Sequence, residues 1–239
     1  ANSLMMKYEQ YTDISILMAR LYYHIGVIGQ SQYHAFSSNM SVTYGSPAMT
    51  KMMITNYIIN GRYQIAEKSL RMLEKSWFYA DWARGQRRFL YNDQAVESDP
   101  ELGTKRKDLP DNDGFTMVYG PLNDIRNVID ANPEDPAAVE YAIGMMLLDK
   151  DFSSIRMFVE SKYGLVKTWP ECLQEAIVAY SEKDMDYCRR YGVSEEVIRR
   201  FAQFRQETLT LRHSGGSITP LASKWGKTFW YYMLKTTKR

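Results

Sequence analysis

The sequence has few of the residues that build metal, redox or catalytic sites. Its 239 residues include only two cysteines and three histidines. His24, His34 and His213 each stand without another His, Asp or Glu at metal-ligand spacing. A Gly-rich phosphate loop and a GxSxG nucleophile turn are both missing. The sequence therefore predicts no catalytic, cofactor-binding or metal-binding residues, and it indicates a protein that is not an enzyme.

Long apolar runs and an excess of one charge are missing as well. No run approaches the roughly 20 apolar residues that a membrane-spanning helix needs. The 30 basic and 28 acidic residues leave a net charge of +2, which argues against nucleic acid as a partner. Cys172 and Cys188 lie too far apart for a CxxC pair or a zinc half-site. They are expected to be structural thiols, and a disulfide between them stays open for an oxidising compartment.

Apolar residues recur at intervals of three and four along most of the chain, which is typical of amphipathic helices. Four prolines directly follow a residue that can cap a helix, a pattern that marks helix starts: Ser46-Pro47, Asp99-Pro100, Asp135-Pro136 and Thr219-Pro220. These signals predict an all-α fold with helices near 4–28, 31–40, 47–60, 62–75, 77–91, 121–131, 136–149, 152–162, 169–182, 194–213 and 220–235.

The predicted helices form two groups. Residues 1–91 make an N-terminal group and residues 115–239 a C-terminal group. Residues 92–114 are polar and lack a strong apolar stripe, so they are predicted to be a connection with one helical turn after Pro100. We expect the whole chain, 1–239, to be a single helical-repeat domain.

One segment has the spacing of a repeat. Gly61-x-Tyr63-x-x-Ala66-x-x-x-Leu70-x-x-Leu73 resembles the turn and second helix of a tetratricopeptide repeat. A weaker copy spans 140–161, with Phe152 in place of the tyrosine and Lys150 where glycine is expected. In a third copy, 21–39, only the helix–turn–helix outline remains. The predicted fold is a tetratricopeptide-like α/α superhelix, right-handed and built from antiparallel helix pairs.

Several segments in order carry a closer resemblance: RLYYHIGVIGQSQYHAF, NYIINGRYQIAEKSLRMLEKSWFYADWA, ANPEDPAAVEYAIGMMLLDKDF, WPECLQEAIVAY, YGVSEEVIRRFAQF and WGKTFWYYML. Together they are similar to the soluble C-terminal part of a bacterial family of unknown function. Its members carry several membrane spans ahead of a tetratricopeptide-like region. The resemblance implies that this chain is the soluble portion of a longer membrane protein. It leaves the side of the membrane open and supplies no catalytic residues.

The segment SWFYADWARGQRRFLY, 76–91, interleaves aromatic residues with arginines. One interpretation is an interaction surface for a peptide or glycan, since such residues dominate interface hot spots. The other is a repeat helix that buries Trp77 and Phe78 and turns its arginines to water. Some tetratricopeptide arrays bind a peptide C-terminus through lysine and asparagine side chains at set positions of their helices. Only Lys51 matches one of these positions in this sequence, so a binding site of that kind is not expected. The candidate interaction residues are Lys51, Tyr79, Trp82, Arg84, Arg87 and Arg88.

The C-terminal region is basic: residues 189–239 hold eleven basic and three acidic residues. The first interpretation is a solvated helix face; contact with anionic lipid headgroups is the functional alternative, and nucleic acid is a further option. The sequence thus predicts a non-enzymatic protein-interaction or scaffold domain of a membrane-anchored protein, with a protein or peptide as partner. The alternative is an accessory domain of a membrane enzyme that acts on cell-envelope lipids or glycans.

Overall fold

The computed structural model describes residues 2–41, 45–110, 121–166, 168–181, 184–215 and 217–236. Within these ranges the structure is all-helical, which confirms the predicted fold class, and the one element of another kind is an isolated bridge between Tyr163 and Val166. None of the helices in the described ranges has the length and apolarity needed to cross a membrane. The chain divides into two compact units, Ala1–Val139 and Glu140–Arg239.

The first unit contains α1 to α8 and the start of α9. The bounds are α1 (Asn2–His24), α2 (Ile28–Met40), α3 (Pro47–Ile59), α4 (Tyr63–Leu73), α5 (Ala80–Gln86), α6 (Asp93–Ser98), α7 (Pro100–Lys107), α8 (Pro121–Ala131) and α9 (Pro136–Asp149), with a 3-10 turn at Arg87–Phe89. The core of this unit is built mainly on α3 and α4, where Ile54, Ile58, Ala66 and Leu70 are fully buried.

The second unit contains the rest of α9 and six further helices. Their bounds are α10 (Phe152–Lys162), α11 (Glu171–Tyr180), α12 (Met185–Arg190), α13 (Glu195–His213), α14 (Ala222–Trp225) and α15 (Phe229–Thr236), with a 3-10 turn at Thr219–Leu221. Phe204, Trp225 and Trp230 pack ring against ring with centroids 5.6 to 6.2 Å apart. This aromatic cluster joins α13, α14 and α15, so the unit has a core of its own.

Four helix ends share one turn geometry. A residue with positive φ follows the helix at Gly26, Gly61, Lys150 and Gly192. After α3, the Arg62 N–H donates to the Tyr57 carbonyl at 2.8 Å and the Gly61 N–H donates to that of Ile58. The same two hydrogen bonds recur at the other three ends. This is the Schellman cap, which satisfies the last carbonyls of a helix and turns the chain into the next one.

The repeat pattern read from the sequence corresponds to this geometry. Lys150 has a φ of 55°, so it adopts the left-handed conformation for which the pattern predicts a glycine. On the helix that follows each turn, the equivalent positions are buried: Ala66 and Leu70 on α4, and Ile155 and Val159 on α10. In both copies, the same two positions of the helix after the turn are therefore buried.

The segment 77–91 differs from its prediction as a single helix. Helix α4 ends at Leu73, α5 begins at Ala80, and the chain between them forms turns. Trp77 and Phe78 lie in these turns with 96% and 90% of their surface exposed, so the interpretation that they are buried is wrong. The physical reason is that the short α5 packs through its small residues Ala80 and Ala83.

The segment predicted as a polar connection also differs. Residues 93–107 form α6 and α7, whereas residues 111–114 lie outside the described residues. The Asn92 side chain caps α6, and the Asp99 carboxylate accepts from two backbone N–H groups at the start of α7. Val96 and Leu102 are buried, so one apolar residue on each helix anchors an otherwise polar segment. The predicted proline-led helix starts are confirmed at Pro47, Pro100 and Pro136.

Candidate functional site

Helix α3 and the segment leading into α5 bring three of the predicted residues together. The Lys51 ammonium on α3 lies 4.7 Å from the ring centroid of Tyr79 and 4.9 Å from that of Trp82. Cation–π attraction holds the ammonium between the two rings without neutralising its charge. Within the described residues, Lys51 forms no ion pair with a carboxylate. Its positive charge is therefore available to a partner.

Lys51 and Trp82 line a surface cavity of about 430 Å³ in the first unit. A fourth predicted residue, Arg88, lies on the same wall, where its guanidinium stacks 4.5 Å from the ring centroid of Phe89. Tyr23, Asp99 and Glu101 lie on the cavity wall as well. This volume falls in the roughly 300–1,000 Å³ range of small-molecule and side-chain pockets.

Both carboxylates of the cavity already have partners. Asp99 caps α7 and lies 3.7 Å from the Arg88 guanidinium. Glu101 accepts a 2.6 Å hydrogen bond from the Tyr23 hydroxyl, and burial together with this bond raises the pKa of Tyr23. The cavity lining contains neither histidine nor cysteine. It can bind through an aromatic face and the Lys51 ammonium, whereas Arg88 is already paired with Asp99, and it offers no nucleophile–base pair.

The remaining two predicted residues, Arg84 and Arg87, pair with other carboxylates. Arg84 pairs with Asp81 on its own helix, and Arg87 makes a two-pronged contact with Glu74 through distances of 2.5 and 3.0 Å. The hydrogen bond from Arg87 lowers the pKa of the Glu74 carboxyl. The structure thus places Lys51, Trp82 and Arg88 on the lining of one cavity, with Tyr79 in contact with Lys51, and leaves Arg84 and Arg87 outside the lining. The assignment of all six as an interaction surface stays a prediction.

Two aromatic residues of segment 76–91 are not among the six candidate residues, although the interpretation of this segment as an interaction surface includes them. Trp77 and Phe78 are both almost fully exposed, and they directly precede Tyr79 in the chain. Helical spacing places Trp77 in line with Leu70 and Leu73, and no glycine or proline marks the end of α4 between them. The exposure of this pair therefore has no local signal. We call Lys51, Trp77, Phe78, Tyr79 and Trp82 the aromatic surface.

Comparison with known proteins yields one match. The family model described as "Family of unknown function (DUF6057)" matches residues 1–236. The chain belongs to this family. No curated protein and no solved structure matches it. The predicted resemblance to a family of unknown function is confirmed, and the function of this DUF6057 chain must be argued from its own surfaces.

A second polar feature of the DUF6057 chain is a buried ionic cluster in the first unit. The Lys105 ammonium donates to the His24 carbonyl at 2.8 Å, to Asp135 at 2.9 Å and to Asp108 at 3.2 Å. Asn132 donates to the other oxygen of Asp108 at 2.7 Å. These contacts tie the end of α1 to α7 and to the connection between α8 and α9. The sequence analysis did not predict this cluster.

The surroundings shift the pKa values of the two carboxyl groups in this cluster in opposite directions. Burial raises the pKa of Asp108 to about 6, against the lowering effect of Asn132 and Lys105. Burial also acts on Asp135, but hydrogen bonds from the Ala137 N–H and from Lys105 outweigh it and lower its pKa. No cavity opens onto the cluster among the described pockets.

The cysteines of the chain are both free thiols. Cys172 is exposed and Cys188 is buried, and desolvation raises the pKa of each thiol above its usual value. In the ranges that the structure covers, no group of three His, Cys, Asp or Glu residues could hold a metal ion.

Proposed function

We propose that this chain is a protein-interaction module whose partner contacts the aromatic surface of the first unit. The observation that carries the proposal is the exposure of Trp77 and Phe78, at 96% and 90%. Large aromatic side chains contribute most of their free energy when they leave water, and they are enriched at interface hot spots. Two such side chains side by side in water are thus an anchor that a partner can bury.

The surroundings of the pair support this proposal. The Lys51 ammonium lies between the rings of Tyr79 and Trp82, and Lys51 and Trp82 also line the cavity of about 430 Å³. A partner could therefore place an acidic or aromatic side chain against Lys51 while it covers Trp77 and Phe78. Arg88 also lines the cavity and is 70% exposed, so a partner could reach its guanidinium in exchange for the 3.7 Å contact with Asp99. An anionic, partly apolar segment of a protein fits this combination.

The proposal includes a stacked, tetratricopeptide-like arrangement of the helix pairs and attachment to a membrane as part of a longer protein. The shared caps at Gly26, Gly61 and Lys150 and the equivalent buried positions on α4 and α10 support the first part. The resemblance of the ordered segments supports the second. In this arrangement the chain contributes binding and no chemistry, since the cavity has no nucleophile–base pair.

The test compares paired substitutions in cells of the source organism. Trp77→Ser with Phe78→Ser removes the anchor, whereas Met72→Ser removes an exposed apolar side chain nearby that is not part of the aromatic surface. After brief chemical cross-linking, the wild type and Met72→Ser should recover the same partner, and the double variant should recover at least about ten-fold less. Equal recovery with all three chains, at equal folded content by circular dichroism, would refute the proposal.

A further inference from the structure

Helix α2 exposes large apolar residues and buries small ones. Tyr33, Phe36 and Met40 have 41%, 50% and 67% of their surface exposed. The opposite face of the helix is made of small residues, three of which are completely buried: Ser31, Ala35 and Ser38. A surface helix that packs on one side only has the reverse arrangement, with its large apolar side chains in the core and polar ones in water. The exposed face of α2 is therefore expected to be a second packing surface.

Helix α2 also carries no charged side chain. Its 13 residues contain no Asp, Glu, Lys or Arg, although 24% of the whole chain is charged. Burial lowers the pKa of His34, the histidine of this helix, which favours the neutral imidazole. An identical helix can therefore pack against this face without burying an ion or placing like charges side by side. A nucleic acid or an anionic lipid surface finds no cation on it.

The spacing of the exposed residues is the same in both directions along the helix. Intervals of four, three and four separate the residues of this stripe, which is about 16 Å long: Gly29, Tyr33, Phe36 and Met40. Alternating intervals of three and four are typical of the apolar seam between two packed helices. If two α2 helices pair antiparallel about the midpoint between positions 34 and 35, Tyr33 lies beside Phe36 of the partner subunit.

The same pairing places the smallest residue of the stripe opposite the longest one. Gly29 lies beside Met40 of the partner subunit, and Met40 beside Gly29 of the partner subunit. No heavy atom of the protein lies within 4 Å of the position that a Cβ of Gly29 would take, so a methionine side chain can occupy this space. The stripe is therefore complementary to a second copy of itself in spacing, in size and in its lack of charge.

We propose that α2 is a homodimer interface, in which two copies of this chain pair their α2 helices antiparallel across a two-fold axis. In such an isologous interface, the contact of one residue with another occurs twice. A stripe one helix wide covers less than the roughly 800 Å² per partner of a standard interface, so we expect a dissociation constant in the micromolar range. The interface contains none of the residues of the aromatic surface, so its test does not depend on the proposed protein partner.

Sedimentation velocity of the full chain, at concentrations from about 1 to 200 µM, measures the association. The wild type should change from monomer to dimer across this range. Tyr33→Lys and Phe36→Glu should each weaken association at least about ten-fold, because each buries a charge against an apolar side chain. Met157→Glu is the matched control, since Met157 is an apolar residue of α10 with a similar exposure of 56%. It should leave the dimer unchanged.

A mixture of the two variants tests the pairing itself. In the mixed dimer, the lysine introduced at position 33 of one copy faces the glutamate introduced at position 36 of the other, and the second Tyr33–Phe36 contact is intact. The mixture should therefore associate at least about ten-fold more tightly than either variant alone. A chain that stays monomeric, as expected if another protein or a lipid covers α2, would overturn the proposal. So would dimers that survive both substitutions, an equal loss with Met157→Glu, or a mixture that associates no better than its components.

Discussion

Replacing Lys105 by methionine is expected to destabilise the protein severely. The change keeps a long apolar stem but removes the ammonium that donates to His24, Asp108 and Asp135. Both carboxylates are buried, Asp108 completely, so they would face each other without a counter-ion. Breaking a buried ion pair by removing one partner costs about 3–5 kcal/mol. That is a large fraction of the roughly 5–15 kcal/mol by which proteins are stable.

Urea denaturation of the full chain, followed by far-ultraviolet circular dichroism, measures this loss. With a slope of about 2–3 kcal/mol per molar urea, the midpoint of Lys105→Met should fall by about 1–2 M. Lys107→Met is the control, because Lys107 is an exposed lysine on the same helix, and its effect should stay within about 0.5 kcal/mol. The loss in Lys105→Met should also be smaller at pH 5 than at pH 7.5, since protonation relieves the repulsion between the carboxylates.

The reasoning is refuted if Lys105→Met shifts the midpoint no more than Lys107→Met does. It is also refuted if the loss is independent of pH, because the destabilisation would then come from packing and not from unpaired buried charge.

Two further predictions concern stability. Burial raises the pKa of the Asp108 carboxyl to about 6 from a usual 3.8. The contribution of this carboxyl to the free energy of unfolding is therefore complete below about pH 3.8 and is lost as the pH rises through 6. The free energy of unfolding should therefore fall between pH 5 and 7, and Asp108→Asn should abolish this fall. Urea midpoints measured across this pH range test the prediction, and an equal fall in the variant would contradict the role given to Asp108. Gly61→Ala should destabilise by about 1 kcal/mol or more, because Gly61 has a φ of 68°. Gly85→Ala, inside α5 with open space around the added methyl, should be neutral or stabilising, and thermal melting that ranks the two the other way would refute the backbone argument.

The local helix signals in the sequence predict much of the fold because their physics is local. Ser46 and Asp99 cap the helices that their prolines begin, and Gly61 takes the positive φ that its place in the repeat pattern requires. Each of these contacts joins residues only a few positions apart. Ala66 and Leu70 of the repeat pattern are fully buried, and their spacing places them on one helix face, which is again a local property.

The parts that the sequence does not predict depend on distant residues. Lys105 reaches a carbonyl 81 residues away and a carboxylate 30 residues away, and no spacing rule connects such partners. Helix α4 ends at Leu73, close to the predicted end at 75, but α5 begins at Ala80 and not at 77, and no glycine or proline marks the turns between them. Two unrelated sequence patterns indicate Lys51 and Trp82 as candidate residues. Only the folded structure shows that they line the same cavity.

The central claim, that a protein partner covers the aromatic surface, is tested most directly by site-specific photo-cross-linking in cells of the source organism. A photoreactive phenylalanine analogue replaces Phe78 in one chain and the exposed Met72 in another. The account predicts one discrete cross-linked species with the probe at position 78, absent or much weaker with the probe at position 72 and lost when Lys51→Glu is added. No discrete species at position 78, or the same species from both positions, would contradict it.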